Sequence, residues 1–223
     1  MTLLFDDDLI EGVVQLGVIG RWPAIPSLQI RRFHAERERC YAIRDPDERG
    51  TAFARLQLSW FQEWGFGERL GKVAAQFALL SDALAALVFR KARGRNDEAA
   101  ELYRDPEGQW RGIVALRPER LADEAALSRF LHHELAHLAD MVAPEFGYSP
   151  ELGSTGQTPS QLRLTRERYR LLWAVSIDGR LTQRGLETVA DEVQRRQEFN
   201  RGFAFLAAER REELFEALWN GRL

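Results

Sequence analysis

Residues 124–141 have the sequence EAALSRFLHHELAHLADM, which is typical of one amphipathic helix. Its apolar residues recur at helical spacing, and Asp123 just before it is a suitable N-cap residue. His133 and His137 are four residues apart, so a helix places them on the same face. The stretch therefore predicts a helix that presents two imidazole side chains side by side.

Two histidines at this spacing can bind one Zn²⁺ ion, which accepts nitrogen and carboxylate ligands in tetrahedral sites. Glu134 directly follows the first histidine, where it can act as the general base for a water molecule on the metal. Three of the four histidines of the chain fall within residues 132–137. We predict Zn²⁺ bound by His133 and His137, with Glu134 as the catalytic residue. Fe²⁺, Mn²⁺ and Co²⁺ also suit two histidines and a carboxylate.

The motif His-Glu-Leu-Ala-His at 133–137 resembles the zincin metallopeptidases. Its surroundings at 130–141, and the later stretch YRLLWAVSIDGRL at 169–181, are similar to a group of uncharacterised bacterial zincin-like proteins. This resemblance covers roughly the second half of the chain. It implies a zinc metallopeptidase that hydrolyses a peptide amide. It also implies that the edge strand of a nearby sheet binds extended peptide, and 110–116 is the candidate edge.

The third metal ligand has more than one candidate. Zincins with a third histidine in an extended motif would need Gly and His where this chain has Asp140 and Ala143. Asp140 shares the helix face but lies far along the axis, so we expect it to orient a histidine. Asp178 lies on an apolar helix face, where a buried carboxylate needs a partner such as a metal. Asp178 is therefore the preferred third ligand.

Glu187 is the rival third ligand. Asp191 follows it by four residues, a spacing similar to that of zincins in which a glutamate binds the metal. A further alternative makes Asp178 a helix-end residue bonded to Arg180 or to the backbone. The candidates for stabilising an oxyanion beside the metal are Tyr148, Tyr169 and Arg180.

The pattern of the whole chain predicts an α+β fold, mostly helical, with a small β-sheet preceding the motif helix. We expect a single domain over 1–223. Its parts are N-terminal helices (1–83), a small sheet (84–118), the metal-binding helix (119–141), a loop (142–160) and C-terminal helices (161–223). The expected strands are 84–93 in part, 100–104 and 110–116, and the expected C-terminal helices are 161–178 ended by Gly179, 185–200 and 207–219.

Composition and charge exclude several classes of protein. The net charge of −3, from 31 basic and 34 acidic residues, is too small for a nucleic-acid or membrane partner. Basic pairs such as Arg195-Arg196 lie among acids, as on a solvated, salt-bridged helix face. Cys40 is the only cysteine, which excludes a disulfide framework. The N-terminus lacks the pattern of a secretory signal. We expect a cytoplasmic protein that acts on a peptide or protein substrate, in an oligomeric state that the sequence leaves open.

Two other functions remain open from the sequence. A zincin-like protein could bind metal and yet act as a regulatory or peptide-binding module, with the N-terminal helices as its partner surface. A purely structural zinc site is the other, but such sites usually draw on cysteine, and Cys40 alone cannot build one.

Overall fold

The structure is a computed structural model, and it describes residues 1–20, 22, 25–149, 151 and 158–221. The elements of the described part are, in chain order, β1 (Thr2–Phe5), α1 (Asp7–Val18), α2 (Ser27–Tyr41), α3 (Pro46–Glu63), α4 (Phe66–Ala74), α5 (Ala78–Ala83), β2 (Ala86–Lys91), β3 (Ala99–Arg104), β4 (Trp110–Leu116), α6 (Glu124–Val142), α7 (Pro159–Gln183), α8 (Glu192–Gly202) and α9 (Ala208–Trp219). The α+β prediction, mostly helical with a small sheet, is confirmed.

The chain forms two compact units, Met1–Ser128 and Arg129–Leu223. The boundary falls inside α6, so the first turn of this helix belongs to the first unit and both motif histidines belong to the second. The expected single domain over 1–223 stays a prediction. None of the helices in the described ranges is both long and apolar enough to cross a bilayer.

The sheet of the first unit has the strand order β1-β2-β4-β3. Strands β1, β2 and β4 run parallel, and β3 is antiparallel to β4. The turn from β3 to β4 contains Gly108, whose φ of 81° is a left-handed conformation that favours glycine. The strands predicted at 100–104 and 110–116 are confirmed, and the strand in 84–93 is β2.

The candidate peptide-binding edge at 110–116 was wrong, because this strand is β4 and lies inside the sheet. It pairs with β2 on one side and with β3 on the other, so its backbone groups already have partners. The edge strands are β1 and β3. Strand β1 was not expected within 1–83, because four residues are too few to show the alternation of a strand.

In the first unit, apolar side chains from α1, α3 and α4 meet the sheet. Phe5 of β1 packs against Phe61 of α3 and against Phe89 of β2, with ring centroids 5.2 and 5.7 Å apart. The fully buried members of this core include Leu9, Phe61, Phe66, Leu87, Phe89 and Leu116. A unit of this kind satisfies the general rule that a sheet buries its apolar face under helices.

In the second unit, α7, α8 and α9 enclose a core of Val175, Phe199, Phe203, Phe215 and Trp219. Helix α7 begins at a capping box, in which the Thr158 side chain accepts from Gln161 N and the Gln161 side chain accepts from Thr158 N. Of the loop predicted at 142–160, the residues 150 and 152–157 lie outside the described part, and Val142 belongs to α6.

The predicted end of α7 at Gly179 was wrong, because the helix continues to Gln183. Within the helix, Gly179 allows the backbone of Trp219 to pack closely against α7. A Cβ atom at this position would lie 2.8 Å from Cα of Trp219 and would overlap its carbonyl oxygen. The helix ends instead before Gly185, whose φ is 72°. The next helix was also expected too early, since α8 begins at Glu192 and not at residue 185.

Candidate metal centre

Helix α6 confirms the helix predicted at 124–141. The Asp123 carboxylate accepts from Ala126 N at 3.0 Å and so satisfies one of the free N–H groups of the first turn. Leu131, Leu135 and Leu138 are fully buried, and His133 is 7% exposed. The apolar residues of the helix thus bury it with one imidazole already inside the protein.

The two motif histidines direct their Nε2 atoms toward each other. These atoms are 3.3 Å apart, and the rings are nearly perpendicular at 79°. Two nitrogens bound to one tetrahedral Zn²⁺ at 2.0–2.1 Å lie about 3.3–3.4 Å apart by the same geometry. The observed separation therefore fits two ligands of a single Zn²⁺ ion. It is longer than the usual range of about 2.7–3.2 Å for a hydrogen bond from nitrogen.

The other ring nitrogen of His133 is bound by a carboxylate from α7. Nδ1 of His133 lies 2.8 Å from Oδ1 of Asp178, and Asp178 is completely buried. An ionised carboxylate can only accept, so Nδ1 carries the proton and donates it in this bond. In a neutral imidazole with its proton on Nδ1, the lone pair is on Nε2, and this is the form of histidine that binds a metal.

The second oxygen of Asp178 is held by an arginine from α8. Nε of Arg195 donates to Oδ2 of Asp178 at 2.6 Å, and its Nη1 donates to Glu198 at 2.7 Å. The Arg195 side chain is only 12% exposed. The buried charge of Asp178 is therefore compensated by an arginine that is itself held in place.

His137 is held by packing against an aromatic ring from α7. The edge-to-face contact with Trp173 has a centroid separation of 4.4 Å. Nε1 of Trp173 donates to Asp140 at 2.6 Å, and Arg180 donates to both oxygens of Asp140 at 2.8 and 2.5 Å. Each histidine is thus supported by an aspartate that is paired with an arginine, directly for His133 and through Trp173 for His137.

The environment of His137 favours its neutral form. Burial lowers the pKa of His137 to about 3, and the neighbouring His133 and the positive charges of Arg180 and Arg195 add to the effect. A neutral imidazole has a lone pair for a metal, whereas an imidazolium has none. The residue is therefore ready to act as a ligand at neutral pH.

The third ligand is where the structure differs from the prediction. Both oxygens of Asp178 are used by His133 and Arg195. Because Nδ1 and Nε2 point away from each other across the ring, a carboxylate on Nδ1 does not face the point on which the Nε2 atoms converge. Asp178 therefore orients a predicted ligand, the role expected of Asp140. Within the described ranges, no group of three or more His, Cys, Asp or Glu side chains is arranged to hold a metal ion.

The rival ligand is not brought to the histidines. Glu187 lies between α7 and α8 with its side chain 74% exposed, and it pairs with Arg129 at 2.6 Å. Asp191 caps α8 by accepting from Gln194 N at 2.8 Å. Both residues were expected within a helix at 185–200, and α8 begins only after them.

The three oxyanion candidates lie near the site in different states. Arg180 is committed to Asp140. The rings of Tyr148 and Tyr169 lie 5.8 and 5.6 Å from that of Trp173. Burial, with smaller effects of Tyr148 and Asp140, raises the pKa of Tyr169, so its hydroxyl keeps its proton at neutral pH. The two tyrosines remain candidates as donors.

Two residues of the site were missed from the sequence. Arg195 was assigned to a solvated, salt-bridged helix face, and the ion pairs are present, but its side chain is only 12% exposed and binds Asp178. The signal for it was Asp178 itself, because a buried carboxylate demands a cationic partner. Trp173 gave no signal, since a tryptophan in an amphipathic helix is usually a core residue.

Comparisons with protein-family models, with curated proteins and with solved structures found no match to this chain. The resemblance to zincins thus depends on the residues of the motif and on the stretches around it.

Proposed function

We propose that the protein is a zinc-dependent metallopeptidase that hydrolyses a peptide amide with metal-activated water. The observation that carries the proposal is the 3.3 Å separation of the Nε2 atoms of His133 and His137, the span of two nitrogens on one tetrahedral Zn²⁺. His133 supports it further, because a neutral imidazole that donates from Nδ1 to Asp178 has its lone pair on Nε2. His133 and His137 would hold the ion, and the two histidines leave coordination positions for water and substrate.

When bound, Zn²⁺ would polarise the scissile carbonyl and lower the pKa of a water molecule. The protein's own contribution to the proton transfers comes from Glu134, which is half-buried and adjacent to the first ligand. Glu134 accepts the proton of the attacking water and delivers it to the leaving amine. The hydroxyl of Tyr148 or Tyr169 would donate to the oxygen on which negative charge develops.

A cytoplasmic location belongs to the proposal. With one cysteine the chain can form no internal disulfide, which suits a reducing compartment. The substrate class is then an intracellular peptide or protein, without nucleic acid or membrane as partner.

A second candidate function is a zincin-like regulatory or peptide-binding protein without hydrolytic activity. The observation that favours it is the number of donors: two histidine nitrogens converge, whereas both oxygens of Asp178 are occupied. Catalytic zinc sites usually have three protein ligands, so a two-histidine site would bind the ion more weakly.

Metal binding is tested first, on the purified full chain. Zinc content by plasma mass spectrometry and zinc affinity by calorimetry should give one ion per chain. Single replacements of His133 and His137 by alanine should abolish binding. His34, the one histidine outside residues 132–137, is half-buried on α2, so His34→Ala is the matched control and should leave zinc binding unchanged.

Hydrolysis is tested next, with quenched fluorescent peptide libraries. We expect cleavage that stops with a chelator and returns with Zn²⁺. Zinc binding that survives both alanine replacements would refute the metal site. Stoichiometric zinc at the two histidines without cleavage of any library would instead favour the regulatory protein.

A further inference from the structure

The carboxylate of Asp178 connects Arg195 to the candidate metal ligand His133. Asp178 is completely buried, and its two oxygens are shared between His133 on α6 and Arg195 on α8. We propose that Arg195 is a positioning residue that fixes the proton of His133 on Nδ1 and thereby turns its Nε2 lone pair toward the metal position. The link to metal binding rests on the proposed function.

Arg195 acts by fixing the rotation of the Asp178 carboxylate. Its Nε donates to Oδ2 at 2.6 Å, so that Oδ1 is left for His133 at 2.8 Å. Without this donor on Oδ2, the carboxylate would be free to rotate, and Oδ1 would no longer be held toward Nδ1 of His133. His133 would then lose the acceptor that selects its tautomer.

Arg195 is itself held, which makes it suited to this role. Glu198 lies one turn further along α8 and accepts from Nη1 of Arg195 at 2.7 Å. The series Glu198, Arg195, Asp178 and His133 thus connects three helices by hydrogen bonds between charged groups and ends at a candidate metal ligand. Such bonds are shorter and stronger than those between neutral groups.

The neighbouring arginine provides a matched control on the same helix. Arg196 donates to Glu192, Glu212 and Glu216 and so joins α8 to α9. These partners include neither Asp178 nor His133, and the Arg196 side chain is 26% exposed. Loss of Arg196 should lower the stability of the unit without changing the tautomer of His133.

The experiment compares Arg195→Met, Arg195→Lys and Arg196→Met with the parent protein. Two properties are measured on the full chain: the tautomer of His133 in the zinc-free protein, by nitrogen-15 NMR of labelled histidines, and the affinity for Zn²⁺ alone, by calorimetry. His133→Asn assigns the signal. We expect a proton on Nδ1 in the parent protein, a shift toward Nε2 in Arg195→Met, and a loss of zinc affinity of about 10–100-fold.

Arg195→Lys keeps a positive charge and should restore part of both properties, and Arg196→Met should match the parent protein in both. If Arg195→Met does not fold, Arg195→Lys still tests the proposal, because a lysine cannot reproduce the guanidinium geometry and should give an intermediate tautomer population. The proposal is overturned by a parent-like tautomer in the Arg195 variants, or by an equal change in Arg196→Met. A parent protein that binds no zinc would defeat the proposed function, and the tautomer measurement would still decide the role of Arg195.

Discussion

Oδ1 of Asp178 lies 2.8 Å from Nδ1 of His133, the ring nitrogen that faces away from the other motif histidine. A histidine bound in this way offers its second nitrogen as a lone-pair donor. The same contact explains why Asp178 does not reach the point on which the two Nε2 atoms converge. A carboxylate behind a metal-binding histidine also makes that ligand more basic, which strengthens the bond to the metal.

Asp178→Asn should weaken zinc binding by about 10–100-fold, because the orienting carboxylate loses its charge and its amide group cannot accept from both His133 and Arg195. Calorimetric titration of the zinc-free protein measures the effect. Glu187→Gln is the control, because Glu187 is exposed and paired with Arg129. An affinity lost in Glu187→Gln and kept in Asp178→Asn would show that the rival ligand was the right one.

Glu134→Gln should retain zinc and lose hydrolysis by at least about 10²-fold, because an amide cannot accept the proton of the attacking water. Peptide cleavage and zinc content are measured on the same preparation. Glu145→Gln changes an exposed carboxylate just after α6 and should leave both properties unchanged. Full turnover by Glu134→Gln would rule out this residue as the general base.

Much of the fold could be predicted from the sequence, because it depends on local patterns. The spacing of leucines in 124–141 predicted α6. The stretch at 110–116, which lies between a turn and a proline, predicted β4. The position of β4 inside the sheet could not be predicted, since strand order depends on pairing between distant segments. The end of α7 was predicted wrongly at Gly179 for a similar reason. This glycine allows a close contact with the backbone of Trp219 on α9, a residue that is distant in sequence.

The candidate site was predicted in its local part only. His133, Glu134 and His137 lie on one helix, and their spacing alone brings the two histidines together. Asp178 was predicted as the third ligand, whereas the structure places its carboxylate against Nδ1 of His133. Which atom of His133 a residue 45 positions away contacts cannot be read from the sequence. The need of Asp178 for a cationic partner was a signal for Arg195, but it did not show which arginine of another helix would supply the charge.

Asp140→Ala should destabilise the protein by about 3 kcal/mol, because it leaves Nε1 of Trp173 and the Arg180 guanidinium without their acceptor. The Asp140 side chain is 8% exposed and that of Arg180 is 34% exposed, so the value belongs at the low end for a buried ion pair. Urea unfolding measures it. Glu167→Ala removes the exposed pair with Arg163 and should leave the unfolding curve nearly unchanged. Equal losses in the two variants would contradict a special role for the Asp140 pair.

Gly179→Ala should destabilise the protein by about 3 kcal/mol or more, because the new Cβ atom would meet backbone atoms of Trp219, which cannot move aside as a side chain can. Gly50→Ala is the matched control: it lies within α3, and no atom lies within 4 Å of its added Cβ. Since alanine is the better helix former, Gly50→Ala should stabilise the protein by about 0.5–1 kcal/mol. Urea unfolding curves of the two variants should therefore shift in opposite directions. A shift toward higher stability in Gly179→Ala would mean that α7 and α9 are further apart than the close contact between Gly179 and Trp219 requires.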